Sequence, residues 1–173
     1  MSEQHATYRV ERTVDIDAPP AQVYAHLADF HRWREWSPWE DVDPDLERRY
    51  AGPESGVRAV YEWSGNRKAG TGRMEILETT PPTALEIQLD FLKPFKSRST
   101  ATFTLAPTAG GTHVTWAMEG PKTFMTRVMG VFTSMDKMIG PDFEKGLASM
   151  KTLAESSPPS PPADSTVVPV PAG

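Results

Sequence analysis

Three features of this 173-residue chain predict an α+β domain in which an antiparallel sheet buries one face against a long C-terminal helix. Consecutive stretches between Val57 and Met118 alternate apolar and polar residues and are joined by short turns, the pattern of a meander with one buried face. From about Lys122 to Glu155 the apolar residues recur at helical spacing instead. One strand and two short helices are expected to come first.

In the first strand, Tyr8, Val10, Val14 and Ile16 alternate with Arg9, Glu11, Thr13 and Asp15, and Arg12 sits on the otherwise apolar side. The stretch "APPAQVYAHLADFHRW" opens with prolines suited to a first helical turn and spaces Val23, Leu27 and Phe30 along one face. Three of the five tryptophans follow in "WREWSPWEDVDP". Trp33 and Trp36 share a helical spacing, but Ser37-Pro38 interrupts it, because a residue before proline is pushed out of helical geometry. Trp33 and Trp36 are therefore expected to pin the second short helix to the sheet or its neighbour, and Trp39 to begin a loop.

The meander follows. "GVRAVYEWSG" places Val57, Ala59, Tyr61 and Trp63 on one face, and "SGNRKAG" supplies a hairpin loop. Next come Met74 and Ile76, a turn at Pro81-Pro82, and then Leu85, Ile87, Leu89 and Phe91 against Glu86, Gln88 and Asp90. Ala101, Phe103 and Leu105 belong to the next strand, and Val114, Trp116 and Met118 to the last, after a Gly-Gly turn. On the long helix Phe124, Val128, Val131, Met135 and Met138 step along one face, which Met125, Met129 and Phe132 widen and Phe143, Leu147 and Met150 continue. Pro141 lacks a ladder donor, so a kink or break is expected there.

Composition narrows the function. A net charge of -5, with Lys and Arg scattered, lacks the basic patch that a phosphate backbone requires, so nucleic acid is not an expected partner. The absence of cysteine removes disulfides and thiolate chemistry. There is no apolar signal core and no run of 18 apolar residues, which points to a cytoplasmic protein without stable membrane insertion. From Ser156 the chain carries six prolines in 18 residues. The expected organisation is thus a flexible N-terminus over 1–6, one domain over 7–155 and a disordered Pro-rich tail over 156–173.

The order of elements, together with "HRWREWSPWEDVDP", "YEWSGNRKAGTGRMEI" and "MDKMIGPDFEKGLASMK", resembles the SRPBCC superfamily of START, birch-pollen-allergen and polyketide-cyclase-like proteins, within its polyketide cyclase/dehydrase-like branch. That resemblance implies a helix-grip fold, a seven-stranded antiparallel sheet wrapped around the C-terminal helix, with "DLERRYAG" (Asp45 to Gly52) as the remaining strand. It also implies an apolar cavity between sheet and helix. Read from spacing alone, the aromatic and methionine stripe is ordinary core. Read through the resemblance, Tyr61, Trp63, Met74, Phe91, Phe103, Trp116 and Met118 face Met125, Val128, Met129 and Phe132 across a ligand, with Trp39 at the mouth.

No residue set for catalysis stands out, and no cofactor or metal is expected. His26 and His31 lie five apart, which is not the spacing of a metal pair on one helical face. Glu62, Glu75, Glu86 and Asp90 fall on the outward phase, while Glu35, Glu40 and Asp41 lie in the loop after Trp33, within reach of a pocket mouth, with solvated charge as the default for each. Arg12 and Arg98 are better suited to meet a polar ligand head, although the direction of Arg98 is ambiguous. The preferred function is non-catalytic binding of a hydrophobic small molecule (a lipid, polyketide or aromatic metabolite) by a monomer or weak homodimer. One alternative is a cyclase or dehydratase acting on a polyketide-like substrate, and another is a protein-interaction domain with a filled core. A buried ionisable cluster would favour the enzyme, and a dry cavity the binder.

Overall fold

The computed structural model describes residues 7–40, 43–67, 69–93, 96–121 and 135–156. The strands are β1 (Thr7–Ile16), β2 (Glu47–Ala51), β3 (Val60–Ser64), β4 (Thr71–Thr80), β5 (Ala84–Lys93), β6 (Ser97–Pro107) and β7 (Thr112–Pro121). Helix α1 (Pro20–Ala28) and a 3₁₀ helix (Phe30–Glu35) lie between β1 and β2, and α2 (Met135–Ser156) follows β7 in the chain. All strand pairs are antiparallel, in the order β1-β7-β6-β5-β4-β3-β2. This is the helix-grip arrangement.

Period-two alternation decides which side chains meet the helices. On the inner face Ile16, Val114, Leu105, Phe103, Leu85, Ile87 and Ile76 are buried at one end of the sheet. In the same core cluster are Val23 and Leu27 of α1, Phe30 and Trp33 of the 3₁₀ helix, and Phe143, Leu147, Met150 and Ala154 of α2. We call this the closed half. The α1 helix begins with a proline in its first turn and no side-chain cap, whereas Asp29 caps the 3₁₀ helix by accepting from the His31 backbone N–H.

The two inner tryptophans build, as their spacing predicts. Trp33 and Trp36 are almost fully buried, and their indole N–H groups donate to the carbonyls of Leu27 and His26 at 3.0 and 3.1 Å. Their rings meet Phe103 edge-on, and Trp36 also meets Trp116. Trp116 in turn stacks on Phe143 of α2, with centroids 3.9 Å apart and planes within 5°.

Two expectations about the backbone are corrected. Val57 does not share the face of Ala59, Tyr61 and Trp63; it is exposed, because Arg58 takes φ +74 and β3 begins only at Val60. Nor does Gly140-Pro141 break the helix, since α2 runs through Pro141. A missing ladder bond costs about 3 kcal/mol, and burial of Phe143, Leu147 and Met150 beyond it, at roughly 1.5–3 kcal/mol each, offsets that cost. At Gly140 itself the Arg12 guanidinium lies so close that an added Cβ would come within 2.1 Å of its Nη2. The long-helix residues Phe124, Met125, Val128, Met129, Val131 and Phe132 fall outside the described residues, as does the tail from residue 157.

Replacing Phe143 with alanine removes the ring that joins α2 to Trp116. The expected loss is about 3–5 kcal/mol of unfolding free energy, read from the urea midpoint by far-UV circular dichroism.

Candidate functional site

At the other end of the same inner face, burial weakens. Along β4 the inward residues pass from buried Ile76 to half-buried Met74, and along β5 from buried Leu85 and Ile87 to half-buried Leu89 and Phe91. Registers place these residues in two rows. Tyr61 pairs with Met74, Met74 with Leu89, and Leu89 with Ser99; beside them Trp63 pairs with Gly72, and Gly72 with Phe91. The second row needs its glycine. The Trp63 indole lies across Gly72, where a Cβ would come within 2.3 Å of Trp63 Cζ2, and the ring meets Phe91 edge-on at 5.7 Å. Its Nε1 donates to the Ala69 carbonyl at 3.0 Å, so the indole is oriented from the hairpin loop.

Polar groups close both flanks of these rows. On the β1 side, the Tyr8 hydroxyl and Ser99 Oγ are 2.6 Å apart, close above Gly120, whose hypothetical Cβ would lie within 3.0 Å of either side chain. Burial raises the Tyr8 phenol above its ordinary value, against the lowering effect of the Ser99 hydrogen bond. On the β2–β3 side, Glu40 receives Arg48 Nη2 at 2.7 Å and Nε at 2.8 Å, both on Oε2, and the Tyr61 hydroxyl at 3.2 Å on Oε1. Tyr61 also touches Tyr50, whose ring stacks on His31 at 3.9 Å. Burial, followed by the Glu40 charge, raises the phenols of both Tyr61 and Tyr50.

This flank corrects the default given to Glu40. The residue is 8% exposed and forms a buried ion pair. Two conformational reasons bring it inside. Trp36 anchors the chain just before it, and the Asp43 carboxylate just after it accepts the Asn66 and Asp45 backbone N–H groups at 2.7 and 2.9 Å. Spacing could not show this, because Glu40 lies in a loop and its partners are 8 and 21 residues away.

The other candidate residues are distributed as follows. Phe103, Trp116 and Met118 are buried, with Phe103 and Trp116 in the stacked core of the closed half. Trp39 is 39% exposed and rests edge-on against Trp116 and Phe143. Tyr61 is buried, while Trp63, Met74 and Phe91 form the two rows with Leu89. Arg12 points inward to Glu144 of α2 at 3.2 Å, and Arg98 outward to Asp90 at 2.8 Å. Tyr8, Ser99, Arg48 and Leu89 complete the flanks and rows without having been singled out. Tyr8 and Ser99 have the inward phase, which is the signal that could have found them.

Among the described residues no three His, Asp or Glu gather as a metal site would require, and no helix is long and apolar enough to cross a membrane. A cleft of about 320 Å³ opens elsewhere, between the 3₁₀ helix and the β2–β3 turn, against Phe30, His31, Tyr50, Pro53 and Val60.

The seven-stranded antiparallel sheet, the C-terminal helix and the short helices between β1 and β2 define a helix-grip domain. Residues 7–155 match the family described as "polyketide cyclase / dehydrase and lipid transport", and the chain belongs to that family. Among solved structures, the protein MLL2253 from Mesorhizobium loti is 24% identical, with a TM-score of 0.60 over 88% of this chain and 99% of that one. The protein CV1439 from Chromobacterium violaceum is 19% identical, with a TM-score of 0.60 over 87% and 99%. The di-domain ARO/CYC protein BexL from the BE-7585A biosynthetic pathway is 17% identical, with a TM-score of 0.62 over 91% of this chain and 53% of BexL. No curated protein matches the chain.

The raised phenols carry a pH signature. A group whose folded pKa lies above its unfolded value contributes stability that is lost as pH rises, here from about 10 upward, where the unfolded chain releases the proton first. The urea midpoint should fall between pH 9 and pH 11, and Tyr61→Phe should make that fall shallower. An equal fall in both proteins would remove Tyr61 as a source.

Proposed function

We propose that the chain is a non-catalytic binding domain that holds a hydrophobic small molecule, a lipid, polyketide or aromatic metabolite, between the inner face of the sheet and the C-terminal helix. The observation that carries this reading is the gradient along β4 and β5, from buried Ile76 and Ile87 to half-buried Met74, Leu89 and Phe91 beside Trp63. One face thus has a core end and an end of large, adaptable apolar side chains suited to a guest. Burial of a guest's apolar area there contributes roughly 25 cal/mol per Å² before ordering costs are subtracted. Membership of a family described by cyclase, dehydrase and lipid transport supports the same class of ligand.

A second reading, a cyclase or dehydratase acting on a polyketide-like substrate, draws on the buried Tyr61–Glu40–Arg48 cluster. Buried ionisable groups beside an apolar floor are the material of proton transfer. In this fold, however, Arg48 already neutralises Glu40, and Tyr61 spends its proton on the same carboxylate, which suits a structural clasp better than a poised acid.

Native mass spectrometry of freshly purified protein, followed by extraction, tests the binding reading. A bound apolar mass is expected, and Trp63→Ala should weaken its uptake about tenfold, equivalent to ~1.4 kcal/mol of lost contact. No bound mass, combined with no tryptophan fluorescence response to lipids, flavonoids and polyketide-like aromatics, would end it. Turnover of such a compound that Tyr61→Phe abolishes while uptake persists would establish the enzyme instead.

A further inference from the structure

Tyr8 and Ser99 hold two hydroxyl protons but form one hydrogen bond with each other, at 2.6 Å. Whichever oxygen donates, the other hydroxyl keeps a proton to give. No other described group takes it, and Ser99 is 3% exposed. Where Ser99 is the hydroxyl left over, that buried proton is costly until an acceptor arrives.

Its place in the sheet says where the acceptor belongs. Ser99 is the cross-strand neighbour of Leu89, which is the neighbour of Met74. The pair therefore stands at the end of the apolar row, two strand spacings or about 10 Å from Met74, with Phe91 and Trp63 in the row alongside. Gly120 keeps the wall beside the pair free of a side chain. Electrostatics restrict the acceptor further. Among the described residues, the two inward-facing arginines are committed, Arg12 to Glu144 and the Glu11 carbonyl, and Arg48 to Glu40. An ionised carboxylate or phosphate at the pair would lack a charge partner among the described residues.

We infer that the Tyr8–Ser99 pair is an anchoring site for a neutral acceptor oxygen, such as a ketone carbonyl, on an apolar ligand lying over Leu89, Met74 and Phe91. This assignment rests on the binding function proposed above and adds its ligand class. The Tyr8 phenol, which burial raises further above its ordinary value, is a donor at neutral pH. The pair also sets orientation, because the opposite flank offers a carboxylate, itself an acceptor, engaged by Arg48 and Tyr61.

The test compares two probes of the same shape, acetylnaphthalene and ethylnaphthalene, by NMR titration of the full chain. The wild-type chain should bind the ketone about 3- to 10-fold tighter, the range of one hydrogen bond. In the Tyr8→Phe/Ser99→Ala double variant that preference should shrink to below about twofold. A second reading uses the wild-type chain alone and stands even if the double variant does not fold: the carbonyl stretch of bound, carbon-13-labelled acetylnaphthalene should move to lower frequency than in hexane. Equal affinities in the wild type, a preference that survives in the folded double variant, or an unshifted carbonyl would overturn the anchor while leaving binding intact. Failure of both probes to bind the wild type would overturn the anchor and count against the binding function itself.

Discussion

The ring of Phe143 lying flat on Trp116 is the contact on which the rest of this fold depends. It joins the C-terminal helix to the middle of the sheet, and neighbouring contacts build out from it: Trp36, Trp39 and Phe103 around Trp116, and Leu147 and Met150 further along α2. Large aromatic side chains bury more apolar area than any others and prefer stacked or edge-on geometry, so such a cluster sets position as well as energy. Gly146 shows how close the approach is. A Cβ there would meet Pro38 Cδ at 2.9 Å and Trp116 Cζ3 at 3.1 Å, so the helix, the tryptophan loop and the sheet converge on one residue without a side chain.

A consequence of that clustering is the unequal treatment of one sheet face. The aromatics, α1 and the 3₁₀ helix concentrate at the end marked by Ile16, Leu105 and Leu85. At the other end the inward side chains of β4 and β5 are large and apolar but only half buried, and among the described residues polar groups flank them on two sides. One flank is a neutral hydroxyl pair, the other a buried ion pair with a phenol on its carboxylate. Neutral hydroxyls can be buried at less cost than charges, which lie there only in compensated pairs. The match to the family to which the chain belongs runs over residues 7–155, from β1 to the last turn of α2.

Most of the sheet was legible because alternation is a local property. The inward phase of Leu85, Ile87, Leu89 and Phe91 needs only the backbone pleat, and Trp33 and Trp36 declared themselves by helical spacing and a following Ser-Pro. The places where reading failed are those where one backbone dihedral or one distant partner decides. Arg58 in a left-handed conformation threw Val57 out of phase. Burial on the far side of Pro141 carried the helix through a residue that weakens it. Glu40 looked like an ordinary loop carboxylate because nothing local announces a guanidinium on β2 and a phenol on β3.

The sequence by itself determined the class of domain, the face of each strand and the apolar character of the inner surface, since these follow from periodicity and composition within a few residues. Only the tertiary structure decided that the candidate residues divide in two, with Phe103 and Trp116 absorbed into the stacked core and Trp63, Met74 and Phe91 in half-buried rows with Leu89. It also brought Tyr8 to Ser99 across 91 residues and Glu40 to Tyr61 across 21. The physical reason is that side-chain direction is set by the local chain, while burial and hydrogen-bond partnership are set by which strands and loops close against each other.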